Sequence, residues 1–168
     1  MFSRRALILL VLVGLALAVL SDSACQKHVA VQPAKLDFTL KDMNGHDVRL
    51  SDFRGKALIV NFFGTDCGPC QLETPELVDL AAKYKARGLA VVGISIEDSP
   101  QEIQQFAAKY NITYPLLVGE DREDVQNALG LGDGIPTSVF ITSKGMVWGS
   151  LEGLATQSWI EKQIQNLF

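Results

Sequence analysis

The sequence predicts an α/β fold in which a central mixed sheet is flanked by helices and preceded by a β-hairpin. Three observations predict it. The apolar runs at residues 57–63 and 89–96 are almost unbroken, as strands covered on both faces require. Helical signals alternate with strand signals through the middle of the chain, which favours parallel pairing through crossovers. Two further strand signals, residues 137–141 and 146–151, are joined only by Thr142-Ser143-Lys144-Gly145, which demands an antiparallel return.

Each element follows from local chemistry. Residues 38–40 and 48–50 flank Asn44-Gly45, a turn pair that tolerates positive φ, and form the leading hairpin. Ser51 caps a short turn ahead of strand 57–63. A helix opens at about Cys67 and runs through Tyr84, with Gly88 at its end and Pro75 as an expected kink, because proline deprives the ladder of a donor. After strand 89–96, Ser99-Pro100-Gln101-Glu102 combines a capping box with proline in the first helical position, which starts a helix over 100–110 that Asn111 stops. Residues 114–118 form a strand and 122–129 a short helix, with Glu120 to Asp124 as a solvated helix start. The closing helix, 156–168, spaces Trp159, Ile160, Gln163, Ile164 and Leu167 for one face. Trp148, Trp159, Phe62 and Phe63 are assigned to the core.

The chain has 168 residues and a net charge of -4, and its apolar excess is local. Arg4 and Arg5 precede residues 6–20, a run without a polar side chain, and Ser21-Asp22-Ser23-Ala24-Cys25 follows in the order of an export signal. The run falls short of the ~20 residues of a comfortable membrane span, so residues 1–24 read as a signal peptide or a membrane anchor. Cys25 sits where bacterial lipoproteins carry a lipid acceptor, although Asp22 stands where such sites usually place Leu. Lipidation at Cys25, a retained anchor and a released domain all fit this architecture. Residues 25–35 form a polar tether and 36–168 a single domain of common size. The acidic balance and the lack of a Lys/Arg cluster in the fold region argue against a nucleic-acid partner.

Chemistry concentrates at Cys67-Gly68-Pro69-Cys70. Cysteines three apart on a first helical turn can bring their Cα atoms into the ~4.4–6.8 Å window of a disulfide. The unpaired N–H groups and positive dipole end of the helix favour a thiolate on the outer cysteine, and the thiolate is the attacking form. Gly68 and Pro69 shape the turn between the thiols. Half a zinc site is the competing reading, but a closed site needs four ligands and the only histidines, His28 and His46, fall in the tether and in a turn; no metal and no separate cofactor are expected.

The strand running into Cys67-Gly68-Pro69-Cys70, with Gly134-Ile135-Pro136-Thr137 ahead of a later strand, resembles a thioredoxin-fold protein. Asn44-Gly45, Cys70-Gln71-Leu72-Glu73-Thr74-Pro75 and the export signal narrow the likeness to the TlpA/ResA-like membrane-tethered thiol:disulfide reductases. The resemblance covers about residues 36–168. It implies a thioredoxin-like domain in which Cys67 attacks a client disulfide and Cys70 resolves the mixed disulfide. It also implies a cis Ile135-Pro136 turn facing the cysteines, followed by Thr137, that offers the Ile135 backbone to an extended client segment. Thioredoxins commonly bury an Asp on the strand before the cysteines; the corresponding position here is Asn61, which cannot titrate. Glu73, on the Cys70 face of the helix, occupies the place of the family's functional Glu and is expected to carry the proton of the inner thiol.

The resemblance further implies an extracytoplasmic reductase, in the periplasm or at the outer face of the cytoplasmic membrane. Electrons would reach it from an upstream membrane thiol donor, and its client would be a protein with a cysteine pair, such as apocytochrome c or a copper-site protein. Two other readings compete. A thiol peroxidase usually carries Pro and Thr ahead of its reactive cysteine, which are missing here, and a peptide-binding module would use the Ile135-Pro136 groove without exchange. Asp66 departs from the pattern, because thioredoxin-fold reductases usually place Trp directly before the first cysteine. A carboxylate there disfavours the neighbouring thiolate. The Asp66→Trp variant is therefore expected to alkylate at Cys67 with a lower thiol pKa, read from the rate against pH; an unchanged pKa rules the effect out.

Overall fold

The computed structural model describes residues 32–168. The apolar run at 6–20, the export signal and Cys25 lie outside the described residues. Among the described residues, no helix is long and apolar enough to cross a membrane.

The leading hairpin pairs β1 (Thr39–Lys41) with β2 (Asp47–Arg49) in antiparallel register. Its turn is held by Asp42, whose Oδ1 accepts the amides of Asn44 and His46 at 2.8 Å each, with Gly45 at φ 84°. Leu50, assigned to the second strand by its hydrophobicity, instead opens a 3-10 turn over Leu50–Phe53 and is fully buried there. The main sheet has five strands in the order β5-β4-β3-β6-β7. Its centre is β3 (Ala57–Phe63), buried at every position, parallel to β4 (Leu89–Ser95) and antiparallel to β6 (Thr137–Ile141). β5 (Leu116–Val118) extends the parallel side, and β7 (Val147–Glu152) closes the other edge. β5 begins two residues later than its apolar pattern suggests, at the point where Pro115, which has no N–H, precedes it; the Pro115 carbonyl still accepts the Gly93 amide at 2.9 Å.

Four α-helices cover the two faces. α1 (Gly68–Tyr84) runs through Pro75 without interruption; Cys67 is its N-cap, and a 3-10 turn over Lys85–Arg87 precedes Gly88, whose φ of 93° ends the element. α2 (Pro100–Tyr110) carries the expected capping box, with Ser99 and Glu102 reciprocally bonded, and stops at Asn111 in the left-handed region. α3 (Glu123–Leu129) is short, and its preceding Arg122 is half-buried rather than solvated. Its Nη1 donates to the Thr39 carbonyl at 3.0 Å, which ties this corner to the hairpin. α4 (Gln157–Ile164) ends four residues before the chain does. Ile160, Ile164 and Leu167 are fully buried, as their spacing requires.

The two tryptophans are not core residues. Trp148 is 41% and Trp159 37% exposed, whereas Phe62 and Phe63 are buried. The reason is positional: β7 is an edge strand with alternate residues in water, and Trp159 lies beside the buried face of α4, edge-on to Phe140 at 5.8 Å.

Segments ahead of the main sheet cover parts of both its open edges, which would otherwise present unpaired backbone groups. The hairpin lies along β5, with Asp42 bridged to Leu117 and the Met43 amide donating to the Leu116 carbonyl at 3.2 Å. At the opposite edge, residues 32–34 pair with the start of β7: the Val147 amide donates to the Gln32 carbonyl and the Ala34 amide to the Gly145 carbonyl, both at 2.9 Å. Two substitutions grade the packing. Ile160→Ala, which empties a fully buried position, is expected to cost about 2–5 kcal/mol, and Ser99→Ala, which removes a cap, about 1 kcal/mol, both read by urea denaturation.

Candidate active site

β3 delivers the chain to one end of the sheet, and Gly64-Thr65-Asp66 turns it into α1. Gly64 is needed for space, since a Cβ there would lie 2.7 Å from Glu97 Oε1 and 3.0 Å from Ile135 Cδ1. Cys67 and Cys70 form a disulfide with Cα atoms 5.2 Å apart. Cys67 is half-buried and Cys70 is buried, so the outer sulfur is the one that a second protein can reach. The Cys70 amide donates to Cys67 Sγ at 3.2 Å. A thiolate on Cys67 would therefore sit on a free helix N–H at the positive end of the dipole. Gly68 and Pro69 are exposed beside it, and so is Asp66.

β6 brings the second half of the site to the same end. The Ile135-Pro136 peptide bond is cis, and the Ile135 carbonyl oxygen lies 3.7 Å from Cys67 Sγ. Thr137 is buried and donates its Oγ1 to the Gly134 carbonyl at 2.6 Å. The Gly153 amide donates to the Pro136 carbonyl at 2.7 Å, and Asp133 donates its amide to Glu152 at 3.1 Å, so the turn is held from β7 as well.

Glu73 lies beneath the inner cysteine, three residues along α1, and is 1% exposed. A solvated carboxylate near the helix start is therefore not what the structure contains. Its Oε2 accepts from Asn61 Nδ2 at 3.0 Å, and the same amide donates to Ser138 Oγ at 3.0 Å; Oε1 is buried with no hydrogen-bond partner among the described residues. Burial raises the carboxyl pKa to about 7; the Asn61 amide and the backbone amide of Ala155 oppose that rise, and the charge of Glu76 adds to it. Tyr114 lies close enough that its phenol is pushed up, by burial first and by the Glu73 charge second. Asn61 thus occupies the strand position read from the sequence, where it holds the carboxylate without titrating.

Of the residues singled out in the sequence, Cys67, Cys70, Ile135, Pro136 and Thr137 converge at one end of the sheet, Glu73 backs them from inside, and Gly68, Pro69 and Asp66 form the rim. His46 sits in the hairpin turn with its ring nitrogen 3.3 Å from Asp42. Among the described residues, no three His, Cys, Asp or Glu side chains converge as a metal cage. Asp98, Thr65 and Gln71 belong to the surroundings of the cysteines but carry no motif of their own. The available signal was a Ser95 and Asp98 pair closing an otherwise apolar strand.

This geometry has close counterparts. The profile of the AhpC/TSA family matches residues 31–149. A thiol-disulfide oxidoreductase ResA from Geobacillus kaustophilus is 32% identical over 98% of this chain and 94% of its own length. The ResA of Bacillus subtilis is also 32% identical, over 74% of this chain and 68% of its own. Among solved structures, a thiol:disulfide interchange protein of the thioredoxin family from Chlorobium tepidum superposes with a TM-score of 0.72 at 27% identity, over 81% of this chain and 97% of its own. A bonded Cys-Gly-Pro-Cys pair at a helix start, on a thioredoxin-like fold with relatives of this kind, leaves one conclusion: the chain belongs to the AhpC/TSA family and is a thiol-disulfide oxidoreductase of the ResA kind.

Proposed function

We propose that this oxidoreductase works outside the cytoplasm as a reductant of client proteins that carry a cysteine pair, with residues 1–24 as signal or anchor, 25–35 as tether and 36–168 as the working domain. The observation that carries the reading is the asymmetry of the two sulfurs. One is reachable and capped by a helix amide, and the other is buried next to a carboxylate whose pKa is close to neutral.

In the dithiol form, the Cys67 thiolate attacks one sulfur of the client disulfide. A Cys67–client bond forms and the client's other sulfur leaves as a thiolate, which takes a proton from water. Glu73, ionised, accepts the proton of the Cys70 thiol, and the resulting thiolate attacks Cys67 Sγ. The Cys67–Cys70 bond closes and the client's second sulfur leaves, so that two electrons have moved to the client. A base with a pKa of about 7 is matched to this task, because it is half ionised at neutral pH. The Ile135 carbonyl beside Cys67 supports docking of the client as an extended segment across the cis turn. A membrane thiol donor upstream would return the pair to the dithiol form. Apocytochrome c and copper-site proteins are the clients that fit a reductant of this kind.

Two predictions follow the two roles. In the Cys70→Ser variant the second step cannot occur, so a disulfide-linked adduct on Cys67 should accumulate and be released by dithiothreitol. The wild type should reduce insulin disulfides, and peroxide consumption in place of insulin reduction would overturn the assignment. The Glu73 proton also leaves a signature in stability. Its folded pKa lies above the ordinary value of 4.5, so between pH 4.5 and about 7 the native state holds a proton that the unfolded chain has released. Stability therefore falls as pH rises through that window, by up to about 3 kcal/mol, and is flat above it. Glu73→Gln should lack this fall and gain on the wild type between pH 5 and pH 8 in denaturant titrations, while its resolution step slows at neutral pH.

A further inference from the structure

Asp98 lies just beyond β4 and is 6% exposed, and its side chain bonds to Thr65 and Ser95 rather than to either cysteine that the exchange steps use. Both carboxylate oxygens are taken up by the turn that precedes Cys67. Oδ2 accepts the Thr65 amide at 2.8 Å and Ser95 Oγ at 2.5 Å, while Oδ1 accepts Thr65 Oγ1 at 2.5 Å. Asp98 is itself fixed, since its own amide donates to Ser95 Oγ at 3.1 Å. From the helix side, Gln71 Nε2 donates to the Thr65 carbonyl at 2.7 Å. Thr65 is thus held through its amide, its hydroxyl and its carbonyl, two residues before the attacking sulfur. The next tie along the chain is the Cys67 amide to the Gly64 carbonyl at 3.3 Å.

We propose that Asp98, acting through Thr65, is a positioning residue that holds Cys67 at bonding distance from Cys70 in the dithiol form and thereby sets the reduction potential of the pair. This rests on the reading of Cys67 and Cys70 as the exchange pair. The relevant equilibrium is with glutathione disulfide. Two S–H bonds of the protein are replaced by one S–S bond, and two electrons and two protons pass to the oxidant, which becomes two molecules of glutathione. The equilibrium constant measures the effective concentration of one protein thiol at the other, a quantity that depends steeply on how tightly the two are oriented. α1 fixes Cys70 from behind. Cys67, as the N-cap, is positioned by the turn in front of it, and that turn is moored to β4 by Asp98. Loosening the mooring lets Cys67 drift, lowers the effective concentration and makes the dithiol a weaker reductant.

The test uses the full chain in graded glutathione buffers, with thiols quenched and counted, in the wild type and in Thr65→Val, Thr65→Ser and Asp98→Asn. Thr65→Val removes the hydroxyl bond without a change of charge or much change of shape. It should lower the constant for disulfide formation about tenfold, equivalent to a rise of about 30 mV in potential. Asp98→Asn should do the same, and Thr65→Ser, which keeps the hydroxyl, should stay within about twofold of the wild type. Alkylation of Cys67 by iodoacetamide should show a raised thiol pKa in Thr65→Val, because a drifting Cys67 loses the Cys70 amide at the helix N-terminus, whereas a merely destabilised domain would shift neither readout. Should Asp98→Asn fail to fold, the two Thr65 variants decide the matter alone. A wild-type potential in Thr65→Val, or an equal shift in Thr65→Ser, overturns the proposal. A wild-type pair that never interconverts between dithiol and disulfide overturns the exchange reading beneath it.

Discussion

The antiparallel pairing of β6 against β3 is the constraint on which the site depends. Phe62 lies opposite Thr137 in that register, so the turn leaving β3 and the turn entering β6 emerge side by side at one end of the sheet. The first carries Cys67 and the second carries Ile135-Pro136. Because side chains in a strand alternate faces, a slip of one residue would turn every buried side chain of β6 to the wrong face. All five residues of β6 and all seven of β3 are buried, so the register is fixed from both sides. The proximity of the cis turn to the sulfur therefore follows from the deepest packing in the molecule.

Glu73 shows what that packing tolerates for the sake of chemistry. An enclosed carboxylate with one oxygen lacking a hydrogen-bond partner among the described residues is an unfavourable thing to bury, and the Asn61 amide is the one side chain that donates to it. Asn61 in turn is fastened to Ser138 on β6, so the two central strands together hold the carboxylate under Cys70. The same environment that raises the cost of the charge brings the group to a pKa useful at neutral pH. Stability and proton transfer pull against each other here, as they commonly do where a native state retains a strained or buried functional group.

Much of this was legible in the chain. Unbroken apolar runs located β3 and β4 and a capping box located α2 to the residue, while Cys67 and Cys70 stood out by type and spacing and Ile135-Pro136, with its cis turn, by family likeness alone. The errors have physical causes. Hydrophobicity alone sent Trp148 and Trp159 inward, although one belongs to an edge strand and the other lies beside a buried helical face. Leu50 was read as strand because it is apolar, and its burial is real, but it is achieved in a 3-10 turn. What spacing could not reveal was the contact between Asp98 and Thr65, which are 33 residues apart and meet only because β3 and β4 run parallel and end together. The depth of Glu73 was equally hidden, since a glutamate near a helix start usually points to water.

The place where the preceding chain joins the domain has a consequence of its own. Residues 32–34 run against the start of β7, at the end of the sheet where β3 begins, whereas the sulfurs lie past the end where β3 finishes. The span of β3 between them is roughly 20 Å at the usual strand rise. The described chain thus enters the domain at the foot of the sheet, a strand's length from the reactive crown, so the pairing that seals this edge takes no surface from the sulfurs.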